Sequence, residues 1–419
     1  MLRGDAAREW RSYWPLILTG IIGTTVIGAH VYPVGTMMKP LQEAYGWDRT
    51  IISASATISS ICTLLLSTVV GLALDRWGPR RVAMVGAPLM AAVMACIGFT
   101  PPSEVAWLAA WTLYAFCAVM LLPITFGAAI TSAFKVSRGL ALGVGLCGSG
   151  VAAIFYPFYT LWLLETYGVR GVYPGLGLFI LVSMGLMLAF AFYPPKTHAG
   201  ALAKLDPIDL PPGEQPWGVP LLQALRTTML WRIVLILGVA AICASAINIH
   251  IQALLNDRGL TPAQAAAILA VTGPCVVVGR WFGGWLLDRI HARWISLTFY
   301  LLPAVGCLLL VNFDGSYWRG FAAAVLIGFS VGVEGDLLPF LLSRYFGVRW
   351  FGSLYGFGMA IFGLGYAIGP FAAARFFDLT GSYNGFLVAI IALLIVGGLV
   401  SLTYPAYPKG VEDAPGAKA

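Results

Sequence analysis

The chain has 419 residues, of which 59% are hydrophobic and 10% charged, whereas soluble domains are about 45–50% apolar and about 25% charged. Its mean hydropathy is +0.84 and its formal net charge is +7. This composition excludes a soluble cytosolic enzyme, a disordered chain and a nucleic-acid-binding domain, and it predicts an all-α membrane protein.

The sequence contains twelve apolar runs that are long enough to cross a bilayer as helices. We call them spans 1 to 12, and in chain order they cover 13–38, 50–74, 81–100, 104–131, 139–163, 171–193, 229–254, 263–287, 294–312, 317–343, 353–377 and 384–405. A proline-rich segment, 194–228, separates the first six spans from the last six. We therefore expect an N-terminal six-helix bundle over 1–193, a cytoplasmic linker over 194–228 and a C-terminal six-helix bundle over 229–419.

The basic residues are distributed unevenly between the two ends of the spans. If the N-terminus is cytoplasmic, eighteen of the 25 Lys and Arg lie on the cytoplasmic side, six lie outside, and Arg280 lies within span 8. This bias follows the positive-inside rule. It predicts a multi-pass inner-membrane protein with both termini in the cytoplasm, so the positive charge orients the helices in the lipid bilayer and requires no nucleic-acid partner.

The two halves of the sequence repeat each other at an offset of 213 residues. The matched pairs are Gly71 with Gly284, Asp75 with Asp288, Arg76 with Arg289, Arg80 with Arg293, Gly139 with Gly352, Gly143 with Gly356, and Pro157 with Pro370. Parallel repeats of this kind place a substrate site at their interface near the bilayer midplane. The repeat predicts two pseudo-symmetric six-helix bundles.

The loop after span 2 reads Gly71-Leu-Ala-Leu-Asp75-Arg76-Trp-Gly78-Pro-Arg80-Arg81, and a second copy runs from Gly284 to Arg293. This loop resembles the signature loop of the major facilitator superfamily, which implies that superfamily's fold and transport by alternating access. A carboxylate at the end of a helix needs a cation or a helix N-terminus as its partner. We expect a latch that forms in one conformation and breaks in another, with the arginines as mere topology anchors as the alternative. The candidate gate residues are Asp75, Arg76, Arg80, Asp288, Arg289 and Arg293.

Other motifs resemble the monocarboxylate and oxalate–formate transporters within that superfamily. They are Tyr32-Pro33 with Pro40 and Gly46-Trp47-Asp48-Arg49 after span 1, and Gly279-Arg280 in span 8. The resemblance implies a secondary transporter of small organic monocarboxylates. Two positions depart from the animal carriers, which have a lysine where this chain has Val34 and an acid where it has Val276. Proton coupling therefore does not carry over directly from the resemblance, and symport with a proton is our own expectation.

Three charged residues, Arg280, Glu334 and Asp336, lie deep in the predicted spans, and each is therefore a functional candidate. Arg280 has no counterpart in the first half, where the matching residue is Ser67. A planar guanidinium suits bidentate binding of one carboxylate, and the resemblance assigns substrate binding to Arg280. The alternative is a structural ion pair with Glu334 or Asp336 of span 10, and both roles can hold if the substrate displaces the internal partner.

Glu334 and Asp336 are also candidates for carrying the coupled proton, because desolvation favours the neutral form of a carboxylate. Their alternative role is a structural salt bridge near the cytoplasmic gate. His30 in span 1 and His250 in span 7 are further proton candidates, although either can be an ordinary hydrogen-bonding residue. Neither histidine has a second histidine or a carboxylate three or four residues later, which argues against a metal site.

Polar and aromatic residues of spans 1, 7 and 11 complete the predicted substrate site. They are Tyr32, Asn248, Tyr355 and Phe357. Tyr114 in span 4 is a weaker candidate, because several bulky residues near it in sequence can simply be packing. Span 11 contains no lysine, in contrast to the oxalate–formate exchangers, and a single cation in the cavity favours a monoanion over a dianion.

One motif points misleadingly to a cofactor. Gly143-Val-Gly145-Leu-Cys-Gly148 fits the dinucleotide-binding pattern but lies inside an apolar span without a preceding strand, so close helix packing explains it better. No nucleophile–base set is visible in the sequence, and we expect neither an enzyme nor a cofactor. The rival functions are an organic-anion exchanger and a drug/proton antiporter of the same fold. Those antiporters carry a Gly-Pro pair where span 5 here has Gly148-Ser149-Gly150.

Overall fold

A computed structural model describes residues 2–47, 49–194, 217–408 and 415. The described residues are almost entirely helical, and an isolated β-bridge joins Gly218 to Gly347. From span 1 to span 12 the helices are Leu2–Ile27 with Tyr32–Tyr45, Arg49–Trp77, Pro79–Ile97, Glu104–Ala118 with Pro123–Ala133, Arg138–Gly145 with the first part of Gly148–Phe190, the second part of Gly148–Phe190, Thr228–Asp257, Pro262–Ala270 with Thr272–Leu287, Ala292–Leu310, Tyr317–Tyr345, Phe351–Thr380 and Asn384–Ser401. A single helical turn, Leu221–Ala224, precedes span 7.

Eleven stretches of the described chain are long and apolar enough to cross a membrane. One of them, Arg138–Phe190, has 53 residues and contains both span 5 and span 6. Gly168 divides it, because its φ of 67° and ψ of −178° are not helical and its positive φ favours glycine. The structure therefore agrees with twelve spans. Most of the predicted linker, residues 195–216, lies outside the described residues, as do Asp48, Lys196, Lys204, Lys409 and Lys418.

Several spans are interrupted at places where the sequence lowers helix stability. Span 1 contains the 3-10 turn Gly28–His30 just before Pro33, and span 4 contains the turn Val119–Leu121 just before Pro123. Proline has no N–H to give to the preceding turn, so a new helix begins there. Interrupted helices leave backbone groups free in the membrane interior, where transporters use them to bind substrates and ions.

The described residues form two compact units. Unit 1 comprises those in Met1–Val136, Val144–Pro220 and Gly347–Ala360, and unit 2 comprises those in Ser137–Gly143, Leu221–Phe346 and Ile361–Ala419. Unit 1 thus includes the start of span 11, and unit 2 includes the start of span 5. The division into the bundles 1–193 and 229–419 stays a prediction.

Candidate functional site

Arg280 of span 8 forms an ion pair with Asp336 of span 10 in unit 2. The guanidinium Nη1 donates a hydrogen bond of 2.6 Å to the carboxylate Oδ1. The Asp336 side chain is fully buried, whereas that of Arg280 is 14% exposed. Arg280 Nε and Asp336 Oδ2 have no hydrogen-bond partner among the described residues. The pair is therefore joined through one oxygen only, and the guanidinium keeps donors for a second anion.

Glycines allow the guanidinium to lie against span 10. A Cβ atom added to Gly335 would lie 2.7 Å from Arg280 Nη2. On the other side, a Cβ at Gly143 of span 5 would overlap the Arg280 carbonyl oxygen and lie 3.4 Å from Asp336 Oδ2. The glycine pattern at Gly143 thus serves close packing of helices around the ion pair, as the sequence suggested.

Glu334 has a different environment from Asp336. Its Oε1 lies 2.9 Å from the Ser330 hydroxyl, which is also within hydrogen-bonding distance of the Phe299 carbonyl oxygen. A hydroxyl has one proton to donate and a carbonyl can only accept, so both contacts are hydrogen bonds at the same time only if Glu334 is protonated and donates. The arrangement therefore suits a neutral Glu334, and within the described chain Arg280 pairs with Asp336 and not with Glu334.

His30 and Tyr32 lie at the interruption of span 1 in unit 1. His30 Nδ1 is 2.7 Å from the Ile27 carbonyl oxygen, so Nδ1 carries the proton and Nε2 is left as an acceptor. The Tyr32 hydroxyl donates to the Ser149 carbonyl oxygen of span 5 at 3.2 Å. The interruption thus brings together two predicted site residues and the backbone of span 5.

Span 4 contributes further polar groups to the same unit, namely the weaker candidate Tyr114 and Trp111, which the sequence analysis did not name. The Tyr114 ring is fully buried and lies 6.1 Å from the His30 ring and 5.3 Å from the Trp111 ring. Tyr114 Oη and Trp111 Nε1 have no hydrogen-bond partner among the described residues. Their spacing of three residues, which puts both on one helix face, is the only signal in the sequence for this pair.

The remaining substrate candidates divide between the units. Tyr355 in unit 1 is buried, with its ring 5.4 Å from that of Phe351, and Phe357 is partly exposed. Asn248 in unit 2 is exposed. Unit 1 thus carries Tyr32, Tyr355 and Phe357, and unit 2 carries Arg280 and Asn248.

His250 is held by two hydrogen bonds within unit 2. Its Nε2 lies 3.0 Å from the Pro370 carbonyl oxygen, and its Nδ1 lies 3.1 Å from the Tyr383 hydroxyl. Since a carbonyl can only accept, Nε2 carries the proton and Nδ1 accepts from Tyr383. This geometry fits the hydrogen-bonding alternative for His250, because it ties span 7 to span 11 and to the start of span 12.

Asp75, the first gate carboxylate, binds a helix N-terminus. It is 4% exposed and accepts hydrogen bonds of 2.7 Å from the backbone N–H groups of Gly352 and Ser353, at the start of span 11. The positive end of a helix stabilises an anion in this position. Thr131 and Phe351 line the small pocket beside it, and both are uncharged.

Asp288 repeats this arrangement in unit 2, at the start of span 5. It accepts hydrogen bonds of 2.7 Å from Gly139 N–H and 2.9 Å from Leu140 N–H. Burial raises the pKa of Asp288, while these hydrogen bonds and the nearby Arg344 and Arg138 oppose the rise. At the 213-residue offset, these two arginines correspond to Thr131 and Phe351 in unit 1. The two gate carboxylates thus share one geometry but differ in local charge.

The gate arginines have other partners. Arg80 Nη2 donates to the Leu188 carbonyl oxygen at 3.0 Å, and Arg289 Nη1 donates to the Trp285 carbonyl oxygen at 3.1 Å. The guanidinium carbons of Arg76 and Arg293 lie 6.0 and 5.4 Å from the rings of Trp77 and Trp294. In the described part of the chain, no arginine forms an ion pair with Asp75 or Asp288.

A comparison with known families bears directly on this helical fold. The sequence profile of the Major Facilitator Superfamily matches residues 20–370. The chain belongs to the major facilitator superfamily. It is therefore a multi-pass membrane transporter, and the predicted all-α fold and family resemblance are confirmed. Fold and family indicate transport rather than catalysis.

Individual relatives in the superfamily are similar over most of their length. Monocarboxylate transporter 13 of Bos taurus is 25% identical over 94% of this chain and 89% of its own. Monocarboxylate transporter 11 of Homo sapiens is 29% identical over 80% of this chain and 71% of its own. The human organic anion transporter MFSD10 has a TM-score of 0.70 over 92% of this chain and 98% of its own at 16% identity, which shows a shared fold.

Proposed function

We propose that the protein is a secondary active transporter of small organic monocarboxylates, coupled to protons and working by alternating access. The Arg280–Asp336 pair is the observation that supports this function. It supplies one cation with unused donors next to one carboxylate that can take a proton. The resemblance to monocarboxylate transporters 11 and 13 supports the substrate class.

Substrate binding follows from competition for the guanidinium. A substrate carboxylate can form two parallel hydrogen bonds with Arg280, whereas Asp336 forms one. When the substrate takes the guanidinium, the buried Asp336 loses its partner, and an unpaired buried carboxylate is costly. Protonation of Asp336 removes that cost.

The same exchange couples the proton to the substrate. Without substrate, the site holds one positive and one negative charge. With a bound monoanion and a protonated Asp336, the site again holds one positive and one negative charge. Because the net charge buried in the membrane does not change, electroneutral symport of one anion and one proton is the favoured cycle. Asp336 in span 10 would take the place of the acid that the animal carriers have where this chain has Val276.

The gate contacts supply the proposed latches. Asp75 and Asp288 each cap the N-terminus of another helix through two backbone hydrogen bonds. Breaking either cap would leave two N–H groups and a carboxylate without partners, and that carboxylate is buried at Asp75 and partly buried at Asp288. Each contact therefore favours one conformation strongly. The partner is a helix N-terminus, and the neighbouring arginines act as topology anchors.

Uptake into proteoliposomes tests the assignment. Radiolabelled lactate, pyruvate and an aromatic acid should enter saturably, and faster with an inward proton gradient. Arg280→Ala should lower uptake by roughly 30-fold or more, since removing one partner of a buried charge contact costs about 2–5 kcal/mol. Arg319→Ala is the matched control, because Arg319 pairs with Asp314 at an exposed site.

A loss of folding must be separated from a loss of binding. Arg280→Ala leaves Asp336 unpaired, so the double variant Arg280→Met with Asp336→Leu replaces both charges by apolar side chains. We expect this double variant to purify as a stable protein without uptake. Saturable uptake that survives Arg280→Ala unchanged would contradict the carboxylate assignment, and uptake indifferent to both a proton gradient and a counter-substrate would contradict symport and exchange alike.

A further inference from the structure

A groove runs between spans 3 and 6 of unit 1, at the end where span 3 begins. Its volume is about 330 Å³. Apolar residues of both helices line it, among them Met84, Pro88, Leu181 and Leu188, and its single charged residue is Arg80. Among the residues that the structure describes, no acidic side chain is part of the lining. The groove therefore joins a long apolar surface to one positive charge.

The groove is open where span 6 has a glycine in place of a side chain. At Gly177 spans 3 and 6 are in close contact, and an added Cβ would lie 2.6 Å from the Ala91 carbonyl oxygen. Gly185 lies eight residues further on, about 12 Å along the helix. A Cβ there would meet nothing within 4 Å. The missing side chain of Gly185 thus leaves the groove open.

Arg80 is held at the end of this groove, in the first turn of span 3. Its Nη2 donates to the Leu188 carbonyl oxygen, and its guanidinium carbon lies 4.1 Å from the centre of the Tyr193 ring. Its Nε is buried without a hydrogen-bond partner among the described residues. The helix N-terminus adds positive potential at the same place. A bound anion would supply the missing hydrogen-bond acceptor and balance the positive charge.

In unit 2 the described residues fill the space at the matching position, although the repeat supplies the same residue types. The counterparts of Arg80 and Gly185 are Arg293 and Gly398. Gly398 is buried, and a Cβ there would lie 3.2 Å from Leu297 Cδ1, whereas Gly185 is exposed. Among the described residues, the space beside Gly185 in unit 1 is thus open, whereas the space beside its repeat counterpart Gly398 is filled.

We propose that this groove binds an anionic phospholipid, with its phosphate at Arg80 and an acyl chain along Met84, Leu181 and Leu188. Basic pockets between membrane-spanning helices on the cytoplasmic side recognise anionic headgroups, and the charge bias of the sequence assigns this end of span 3 to the cytoplasm. The apolar walls require a chain-bearing ligand, which an inorganic anion lacks. This site does not depend on the identity of the transported substrate.

Native mass spectrometry of the purified full chain tests the site. The detergent-solubilised protein is titrated with phosphatidylglycerol and with phosphatidylcholine of the same acyl chains. Phosphatidylglycerol should remain bound at lower concentration. Arg80→Gln should lower its occupancy roughly five-fold or more by removing the charge, and Gly185→Leu should do the same by filling the groove.

Two matched controls distinguish lipid binding in the groove from a general effect of positive charge. Arg81→Gln removes an exposed neighbouring charge that does not line the groove, and Arg293→Gln removes the repeat counterpart of Arg80. Both should retain wild-type lipid occupancy. If Gly185→Leu does not fold, Met84→Trp fills the groove from span 3 instead.

Three results would overturn the proposal. Equal binding of the two lipids would show an apolar groove without headgroup recognition. Unchanged phosphatidylglycerol occupancy in both Arg80→Gln and the groove-filling variant would place the lipid elsewhere. Displacement of the lipid by glycerol phosphate at equal concentration would show an anion site that does not use the apolar walls.

Discussion

At the scale of single residues, two carboxylates that are two positions apart have different roles. Asp336 and Glu334 point about 200° apart around span 10, because successive helical residues turn by about 100°. Asp336 faces Arg280, while Glu334 lies against the Ser330 hydroxyl in an arrangement that suits a neutral acid. Both are buried, so their partners, and not their depth in the membrane, distinguish them.

Conservative substitutions of these two carboxylates should therefore differ in effect. Asp336→Asn removes the charge that balances Arg280 and the group that we propose takes the proton. We expect it to abolish acceleration of uptake by a proton gradient while exchange of internal for external substrate persists. Glu334→Gln keeps a donor toward Ser330, so uptake should stay within about two-fold of wild type, since an amide can replace the protonated acid in that hydrogen bond.

Proteoliposome uptake with and without a pH gradient, beside counterflow without one, measures both expectations. Retained gradient stimulation in Asp336→Asn together with its loss in Glu334→Gln would reverse the assignment and make Glu334 the proton carrier. Purified yield and elution profile of each variant serve as the folding control.

At the scale of helices, glycines set the distance between spans 8 and 10. A Cβ added to Gly279 would overlap the Phe329 carbonyl oxygen, and one added to Gly332 would overlap the Val276 carbonyl oxygen. Close approach of two backbones is a common role of small residues in membrane helices. This contact holds Arg280 and Asp336 at bonding distance.

Alanine substitutions at two glycines of span 8 should differ in their effect on stability. Gly279→Ala forces the backbones apart and should lower the free energy of unfolding by about 1–3 kcal/mol. A Cβ atom at Gly273 would have no neighbouring atom within 4 Å. Gly273→Ala should therefore leave the free energy of unfolding unchanged or raise it by up to about 1 kcal/mol, because alanine favours the helix. Thermal unfolding in detergent compares the two variants. An equal loss of stability in both would show that the close helix contact at Gly279 does not contribute to stability.

At the scale of the whole molecule, the distribution of Lys and Arg predicts how the chain is oriented in the membrane. The prediction is that both termini lie in the cytoplasm and that the turn between spans 9 and 10, around Asp314, lies outside. This rests on the bias of Lys and Arg toward one end of the spans.

Reporter fusions test the orientation directly. Green fluorescent protein at the C-terminus should fluoresce and alkaline phosphatase there should be inactive, because each is active on one side of the bacterial inner membrane. Alkaline phosphatase fused after Asp314 should be active. The opposite pattern at both positions would invert the topology and place the Arg80 groove on the outer side.

Some features could be predicted from the sequence because they depend only on composition or on repeats along the chain. Composition and twelve apolar runs predicted the all-α membrane fold, and the 213-residue repeat predicted that Asp75 and Asp288 would be equivalent. The rarity of charge within the spans singled out Arg280, Glu334 and Asp336. Predictions from hydropathy and from sequence repeats do not require knowledge of which residues are in contact in the folded protein.

The tertiary structure alone decided which groups meet. It chose Asp336 over Glu334 as the partner of Arg280, and it gave Asp75 a helix N-terminus in place of an arginine. It also left the space at Gly185 open while Leu297 closes the matching space at Gly398. These outcomes depend on the direction of each side chain and on small differences in the distance between neighbouring helices. A one-dimensional pattern of apolar and charged residues specifies neither of them.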